Sequence, residues 1–220
     1  MKVLVACEES QTVCKAFRAK GHEAYSCDIQ RCSGGHPEWH ICNDVLDIIN
    51  GNTEFFTCDG TLHIINAWDM IIAHPPCTYL TNTGNRWFNV QRYGDKAIQR
   101  VKSREEAAQF FMAFVNAPCE HIAIENPVGY MSTHYRKADQ IIQPYMFGHE
   151  AEKRTCLWLK NLPALKATNV VKPPERVRFA SGKSMPQWYA DAWHMSSEER
   201  SKFRSKTFQG IAKAMADQWG

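Results

Sequence analysis

A thiol and a carboxylate follow two apolar segments, in a pattern that suits chemistry on a pyrimidine ring. Cys77 comes after the apolar run 70–73 and two consecutive prolines, and Glu125 comes directly after the run 122–124. Proline fixes φ and has no amide donor, so the two prolines predict a rigid segment that aims Cys77 away from its strand. A thiol can add to C6 of a pyrimidine while a carboxyl group holds a proton at N3, and C5 then becomes a carbon nucleophile.

The elements that position these residues predict an α/β fold with a doubly wound, mostly parallel sheet. Short runs that are apolar on both faces are typical of parallel strands covered by helices on two sides, and they occur at 3–6, 70–73, 122–124 and 156–159. Such sheets bind ligands outside the carboxyl ends of their strands. We therefore expect Cys77 and Glu125 to lie at one edge of the sheet, together with residues 7–9 and Asp28.

Sequence patterns typical of helices occur between these apolar runs and after the last of them. Gly21 predicts the end of a helix that follows the first strand, and the Ser-x-x-Glu pattern at 103–106 predicts the start of another. An apolar stripe over 208–219 predicts a C-terminal helix that faces the core. Residues 29–43 and 78–100 are predicted to be irregular, and since no linker is evident, residues 1–220 are expected to form one domain.

Composition excludes some classes of protein and leaves others open. The net charge of +3 permits a polyanionic partner without indicating one. No apolar run approaches the roughly 20 residues of a membrane span, and the N-terminal run is too short for a secretory signal. Nine cysteines without a Cys-x-x-Cys pair are typical of small buried side chains in a reducing compartment. We expect an intracellular protein without membrane insertion.

A metal site is not predicted, although cysteines and histidines cluster early in the chain. Cys27, Cys32, His36, His40 and Cys42 lie close together in sequence. Their spacings fall outside the tight pairs that structural zinc sites prefer. Buried cysteines beside an exposed histidine-rich loop explain the pattern better.

Taken in order, the motifs resemble those of the cytosine-C5 DNA methyltransferases, and more closely the small phage and prophage proteins related to them. His74-Pro75-Pro76-Cys77 is similar to the nucleophile motif, usually Gly-Pro-Pro-Cys, and Glu125-Asn126-Pro127 is similar to Glu-Asn-Val. Residues 43–45 resemble the family's Gly-Asp-Ile segment, and residues 204–216 resemble its closing motif. The shared order along nearly the whole chain is the strongest part of the resemblance.

The resemblance implies a Rossmann-like fold of the methyltransferase type that transfers a methyl group from S-adenosylmethionine to C5 of cytosine in DNA. Cys77 would be the covalent nucleophile, and Glu125 would protonate N3. The residues implied to bind the base or its phosphate are Pro76, Asn126, Pro127, Lys153 and Arg154. The residues implied to bind the cofactor are Cys7, Glu8, Ser10, Asp28, Asp44 and Pro75. Related proteins are encoded by phages and prophages, which implies action in the bacterial cytoplasm.

Three segments differ from the usual family pattern or need their own interpretation. The opening loop 6–11 has no glycine where the family carries Phe-x-Gly-x-Gly. The short segment 161–203 takes the place of a large target-recognition domain, and its interleaved basic and aromatic residues suit phosphate contact and base stacking with little sequence readout. Residues 82–93 take the place of a mobile catalytic loop, which could close over a flipped base.

Alternatives remain open at this point. The same site could act on a free or single-stranded pyrimidine nucleotide, or it could transfer a group other than methyl. The chain could also be a catalytically silent homologue that binds DNA or a protein partner, which the missing glycines favour and the retained thiol and Glu-Asn pair oppose. An amino-methyltransferase is disfavoured because His74 and Cys77 replace the polar and aromatic residues that flank Pro-Pro in those enzymes.

Overall fold

The computed structural model describes residues 1–220 and is built on a seven-stranded mixed sheet with the strand order β3-β2-β1-β6-β7-β9-β8. Its strands are β1 (Lys2–Ala6), β2 (Glu23–Asp28), β3 (His40–Cys42), β6 (Met70–Ala73), β7 (His121–Pro127), β8 (Gln140–Ile142) and β9 (Thr155–Lys160). Two hairpins lie outside this sheet and consist of β4 (Thr53–Phe56) with β5 (Leu62–Ile65), and β10 (Arg176–Arg178) with β11 (Ser184–Pro186).

The sheet confirms an α/β fold with mostly parallel strands, and one strand direction differs from the expectation. The pairs β2–β3, β1–β2, β1–β6 and β6–β7 are parallel, whereas β9 runs antiparallel to both β7 and β8. The interpretation of 156–159 as a parallel strand was therefore wrong. An apolar run indicates that a strand is buried on both faces but does not indicate the direction of the strand. Residues Thr155 to Trp158 of β9 are buried, although the strand is antiparallel.

Seven α-helices accompany the strands: α1 (Thr12–Arg18), α2 (Val90–Tyr93), α3 (Asp95–Val115), α4 (Met131–His134), α5 (Gln187–Asp191), α6 (Ser197–Ser205) and α7 (Gln209–Trp219). The predicted helix start at Ser103 was wrong, because α3 begins at Asp95 and Ser103 lies in its interior. Residues 95–102 contain neither glycine nor proline, so nothing in them stops the helix from extending upstream. No helix combines the length and apolar character needed to cross a bilayer.

Two apolar layers cover the sheet, one on each face. Alternate residues of β1 divide between them, with Leu4 in the layer that contains Phe111 of α3 and Val3 in the layer formed with α1 and α7. The same alternation holds in β6, where Ile71 and Met70 belong to opposite layers. This double burial explains why these strands have apolar residues on both faces.

Glu8 closes the loop between β1 and α1. Its two carboxylate oxygens accept hydrogen bonds from the amides of Val13 at 2.6 Å and Cys14 at 3.1 Å, and the residue is buried. Cys7 and Gln11 adopt left-handed φ values of 59° and 58°, a conformation that glycine reaches at much lower cost. The loop thus makes its sharp turns without glycine, and Glu8 satisfies amides at the start of the helix.

The segments predicted to be irregular contain short regular elements. Residues 37–39 form a 3₁₀ turn that leads into β3, and residues 82–88 form another before α2. In the histidine-rich segment, the buried His40 ring lies 2.8 Å from Ser26 Oγ and 2.8 Å from the Gln30 carbonyl oxygen. No three His, Cys, Asp or Glu side chains in the chain are arranged to hold a metal ion.

Replacing Glu8 with alanine should lower the free energy of unfolding by about 1–3 kcal/mol, because two buried amides of α1 would lose their acceptor. Urea unfolding at pH 7 measures the change. The control is Glu54→Ala, since Glu54 lies exposed on β4 and its loss should cost less than about 0.5 kcal/mol. Equal stability of the two variants would contradict the capping role of Glu8.

Candidate active site

The segment that carries Cys77 is held at the carboxyl end of β6 by hydrogen bonds to β1 and β7. The His74 amide donates to the Ala6 carbonyl at 2.9 Å, and Asn126 Nδ2 donates to the Pro75 carbonyl at 2.8 Å. Immediately after Cys77 the chain turns, and the amides of Leu80 and Thr81 both donate to the Cys77 carbonyl at 3.0 Å. The thiol is therefore placed by β1, β6 and β7 together.

A second link joins the loops that follow β6 and β7. The Tyr130 amide donates to the Leu80 carbonyl at 2.7 Å, and Thr81 and Gly129 form an isolated antiparallel bridge. A Cβ atom on Gly129 would lie 2.0 Å from the Leu80 carbonyl oxygen, which is closer than any real contact. Only glycine allows the two loops to approach this closely.

Glu125 lies in β7 beside His74. Its Oε2 is 2.9 Å from His74 Nδ1, and the two side chains are 15% and 10% exposed. Burial raises the pKa of Glu125, but the His74 hydrogen bond and the charge of Lys153 outweigh burial and hold that pKa below its usual value. Glu125 is thus a buried carboxylate whose negative charge is stabilised by two basic neighbours.

The ionisation of Cys77 depends on the same charges. Cys77 is exposed at the protein surface, but atoms packed around its sulfur partly desolvate the thiolate and so raise the pKa of Cys77. The Glu125 charge raises this pKa further. The charge of Lys153 acts in the opposite direction. The thiol, the carboxylate and the ammonium group are therefore near neighbours in one site, with the thiol neutral at pH 7.

The segment 161–203 contributes Tyr189 to this site. The sequence predicted the aromatic residues of this segment, Tyr189 among them, as stacking groups but did not predict that Tyr189 lies near Cys77 and Glu125. Burial raises the pKa of Tyr189, Arg204 lowers it, and the charges of Cys77 and Glu125 raise it. The Arg204 guanidinium lies 4.9 Å from the centre of the Tyr189 ring and donates to the Tyr189 carbonyl at 3.2 Å. The only sequence signal for this arrangement was the basic and aromatic composition of the segment.

Lys153 connects that segment to the thiol, whereas Arg154 does not. Lys153 Nζ donates to the Lys206 carbonyl at 3.1 Å and lies 5.8 Å from the centre of the Trp188 ring. Arg154 is exposed. Its charge lowers the pKa of the buried Cys156 and does not influence that of Cys77 or Glu125. The structure therefore brings one of the two predicted basic residues to the site.

The other residues expected to bind the base surround Cys77 and Glu125. Pro76 is exposed next to Cys77, and Pro127 is half-buried and pairs with Thr155 in the β7–β9 register. Asn126 is buried, and its Oδ1 atom has no hydrogen-bond partner. A small cavity behind the carboxylate is lined by His74, Glu125, Lys153, Thr155, Lys206, Thr207, Phe208, Ile211 and Met215.

Part of the predicted cofactor set lies at the carboxyl ends of β1 to β3. Asp28 is half-buried at the end of β2, and burial raises its pKa. Asp44 is exposed after β3 and accepts a hydrogen bond from the Leu46 amide at 3.0 Å. Burial raises the pKa of Cys7, and the charges of both aspartates raise it further, which places these three residues together.

The remaining residues of that set have partners within the protein. Both carboxylate oxygens of Glu8 are occupied by amides of α1, and Ser10 Oγ lies 3.1 Å from Thr12 Oγ1. Pro75 is buried, and its carbonyl accepts from Asn126. Asp28 and Asp44 each accept a hydrogen bond at one carboxylate oxygen and have the other oxygen without a partner, whereas both oxygens of Glu8 are occupied.

The segment 82–93 packs against α3 through cation–π contacts. The Arg104 guanidinium lies 3.2 Å from the centre of the Phe88 ring and also donates to Asn85 Oδ1 at 2.7 Å. Trp87 is exposed, with the Arg86 guanidinium 4.5 Å and the Tyr93 ring 5.0 Å from its ring centre. Arg92 lies 5.5 Å from the Tyr93 ring and Asn82 is exposed, so the segment presents cationic and aromatic groups to solvent.

A comparison with protein-family models finds no match for this chain, and a comparison with curated proteins finds none either. The resemblance to the cytosine-C5 methyltransferases therefore stays a prediction. Any assignment of function must be argued from the site itself.

Replacing Glu125 with glutamine should make Cys77 more reactive toward iodoacetamide. The substitution removes a negative charge that raises the pKa of Cys77, so we expect modification at pH 8 to be roughly 2- to 10-fold faster. Mass spectrometry of the peptides measures the rate at each cysteine. Cys58 is the internal control, because it is exposed and Glu125 does not influence its ionisation. An unchanged rate at Cys77 would show that the carboxylate does not act on the thiol.

The Gly129→Ala substitution should destabilise the protein by about 1–3 kcal/mol, because the added methyl group pushes apart the loops after β6 and β7. The free energy of unfolding in urea measures this cost. Gly84→Ala serves as the control, since a Cβ atom there would meet only the flexible end of Arg100. Two variants of wild-type stability would rule out the close approach at Gly129.

Proposed function

We propose that this protein transfers a methyl group from S-adenosylmethionine to C5 of cytosine in DNA through a covalent adduct with Cys77. The observation that supports this most strongly is the shared site of Cys77 and Glu125 near the carboxyl ends of β6 and β7, where the Glu125 charge raises the pKa of Cys77. A thiol and a carboxyl group so placed can act on C6 and N3 of one ring.

The sheet is compatible with this proposal. In open α/β sheets, ligands bind outside the carboxyl ends of the strands. Four neighbouring parallel strands end at this edge. Cys7, Asp28 and Cys77 end or follow three of them, and Glu125 lies two residues before the end of β7. The reversed strand β9 near the other end of the sheet is compatible with the methyltransferase type of Rossmann-like fold.

Asp28 and Asp44 would hold the cofactor. A carboxylate at the end of the second strand suits the hydroxyl groups of a ribose, and Asp44 lies beside it at the end of the third. The left-handed turns at Cys7 and Gln11 shape the adjoining loop without glycine. When bound, S-adenosylmethionine supplies an electrophilic methyl group, and the buried Glu8 side chain would contribute to the loop rather than to the ligand.

The residues of the site would act in sequence on the base. The Cys77 sulfur forms a bond to C6, and the Glu125 carboxyl group gives a proton to N3, which stabilises the electron density pushed into the ring. C5 then accepts the methyl group. A base removes the proton from C5, the electrons of that bond restore the C5–C6 double bond, and Cys77 leaves. Lys153 favours the thiolate throughout, because its charge lowers the pKa of Cys77.

Cationic and aromatic groups from two segments suit a nucleic acid. Segment 161–203 and the residues after it place Tyr189, Arg204 and Lys206 near Lys153. Segment 82–93 carries the exposed Trp87 with its arginine neighbours. Such groups bind phosphates and stack on bases with little dependence on sequence. The same stacking groups favour single-stranded DNA as the second candidate substrate.

Transfer of a labelled methyl group from S-adenosylmethionine tests the proposal. Duplex DNA, single-stranded DNA and dCMP are compared as acceptors for the wild type, Cys77→Ser and the control Cys58→Ser. We expect transfer to cytosine in DNA, a loss of at least about 10³-fold in Cys77→Ser, and no change in Cys58→Ser.

Each contrary result identifies a different error. Full activity of Cys77→Ser would rule out the covalent route, and activity on dCMP alone would rule out DNA as the substrate. DNA binding without transfer to any acceptor would indicate a silent binding protein instead of an enzyme.

Substituting Glu125 with glutamine should slow methyl transfer by about 10²–10⁴-fold, the usual contribution of a general acid. Single-turnover rates on the preferred acceptor measure the effect. The control is Glu54→Gln, an exposed position in the β4–β5 hairpin. A Glu125→Gln rate within twofold of wild type would contradict proton transfer by this residue.

A further inference from the structure

His74 occupies a fixed place between the ends of β1, β6 and β7. Its amide donates to the Ala6 carbonyl at 2.9 Å, and its ring lies 2.9 Å from Glu125 through Nδ1. The following residue, Pro75, is buried, and its carbonyl oxygen accepts a hydrogen bond from Asn126 Nδ2. The imidazole therefore has little freedom to leave the carboxylate.

The side chain that hydrogen-bonds to Glu125 is that of His74. Oε2 of Glu125 takes that bond, while Oε1 accepts none and is not enclosed. One oxygen is thus engaged by His74, and the other has no hydrogen-bond partner within the protein.

The second nitrogen of the ring lies in a closed environment. His74 Nε2 is buried without a hydrogen-bond partner, and the ring is nine-tenths buried. Burial raises the pKa of Glu8 at the start of α1, and the charge of His74 acts in the opposite direction, so the two side chains are near neighbours. Lys153, in the loop before β9, acts on Glu125 as well. A positive charge on His74 would therefore lie between the side chains of Glu8 and Glu125.

The carboxylate alone is poorly suited to donate a proton. His74 and Lys153 together hold the pKa of Glu125 below its usual value against the effect of burial, so at neutral pH the group is ionised. Protonation of N3 needs a proton that Glu125 does not itself retain. The side chain that hydrogen-bonds to Glu125 is an imidazole, a group that can both donate and accept protons.

We propose that His74 is a positioning residue that fixes Glu125 and stores the proton that Glu125 passes to the pyrimidine ring. This inference rests on the proposed function. As N3 takes a proton from Glu125, the carboxylate takes the Nδ1 proton of the imidazolium, and His74 becomes neutral. When Cys77 leaves, N3 returns its proton to Glu125 and the imidazolium forms again, so no proton is gained or lost over the cycle.

Two substitutions separate storage of a proton from placement of the carboxylate. His74→Asn keeps an N–H donor near the position of Nδ1 but cannot titrate, whereas His74→Ala removes both properties. His22→Asn is the control, because His22 lies at the opposite side of the fold near the C-terminus. Single-turnover rates across pH and carboxyl ¹³C titration of Glu125 are measured for each protein.

We expect His74→Ala to be about 10- to 100-fold slower than wild type, with less than about a threefold change in KM. The rate of both His74 variants should begin to fall at lower pH than that of the wild type, because only the carboxyl group then holds the proton. The Glu125 titration midpoint should rise in His74→Ala and stay nearer to the wild-type value in His74→Asn.

Two results would overturn the inference. Wild-type rates in both variants would remove any role for His74, and slower variants with the wild-type pH profile would reduce that role to structure alone. If the wild type transfers nothing to any pyrimidine, the proposed function fails. The carboxyl titration then still decides the pairing, since equal Glu125 midpoints in wild type and His74→Ala would overturn it.

Discussion

The hydrogen bond from Asn126 to the Pro75 carbonyl, 2.8 Å long and fully buried, ties together the two strands on which the site depends. It connects the segment that carries Cys77 to the strand that carries Glu125. Side chains alternate along β7, so the residue that makes this bond lies next to the acid and leaves Glu125 free to face His74. Gly129 repeats the connection one loop further on, where no other residue fits.

Charged neighbours set the ionisation states of Glu125 and Cys77. Burial would favour a neutral carboxyl group and a neutral thiol, yet His74 and Lys153 keep Glu125 charged, and that charge in turn opposes ionisation of Cys77. Lys153 partly reverses the effect on the thiol. The ionisation of Cys77 and Glu125 is therefore set by their neighbours, and a substitution of Lys153 should change both pKa values.

The sequence predicted the longer strands of the sheet and the edge at which Cys77 and Glu125 meet, because burial on two faces leaves a clear apolar pattern. It did not predict β3 or β8, which have only three residues each. It did not predict the direction of β9, which is decided by tertiary pairing, or the start of α3, where a Ser-x-x-Glu pattern occurs inside a longer helix. Tyr189 and the pairing of His74 with Glu125 depend on contacts between distant segments. A local pattern carries no signal for such contacts.

Covalent trapping tests the central claim most directly. An oligonucleotide that contains 5-fluorocytosine is incubated with the protein and S-adenosylmethionine, and the adduct is digested and mapped by mass spectrometry. Fluorine at C5 cannot leave as a proton, so the bond between sulfur and C6 should persist. The account predicts a DNA adduct on the peptide that contains Cys77 and none in Cys77→Ser. No adduct, or an adduct on any other residue, would contradict it.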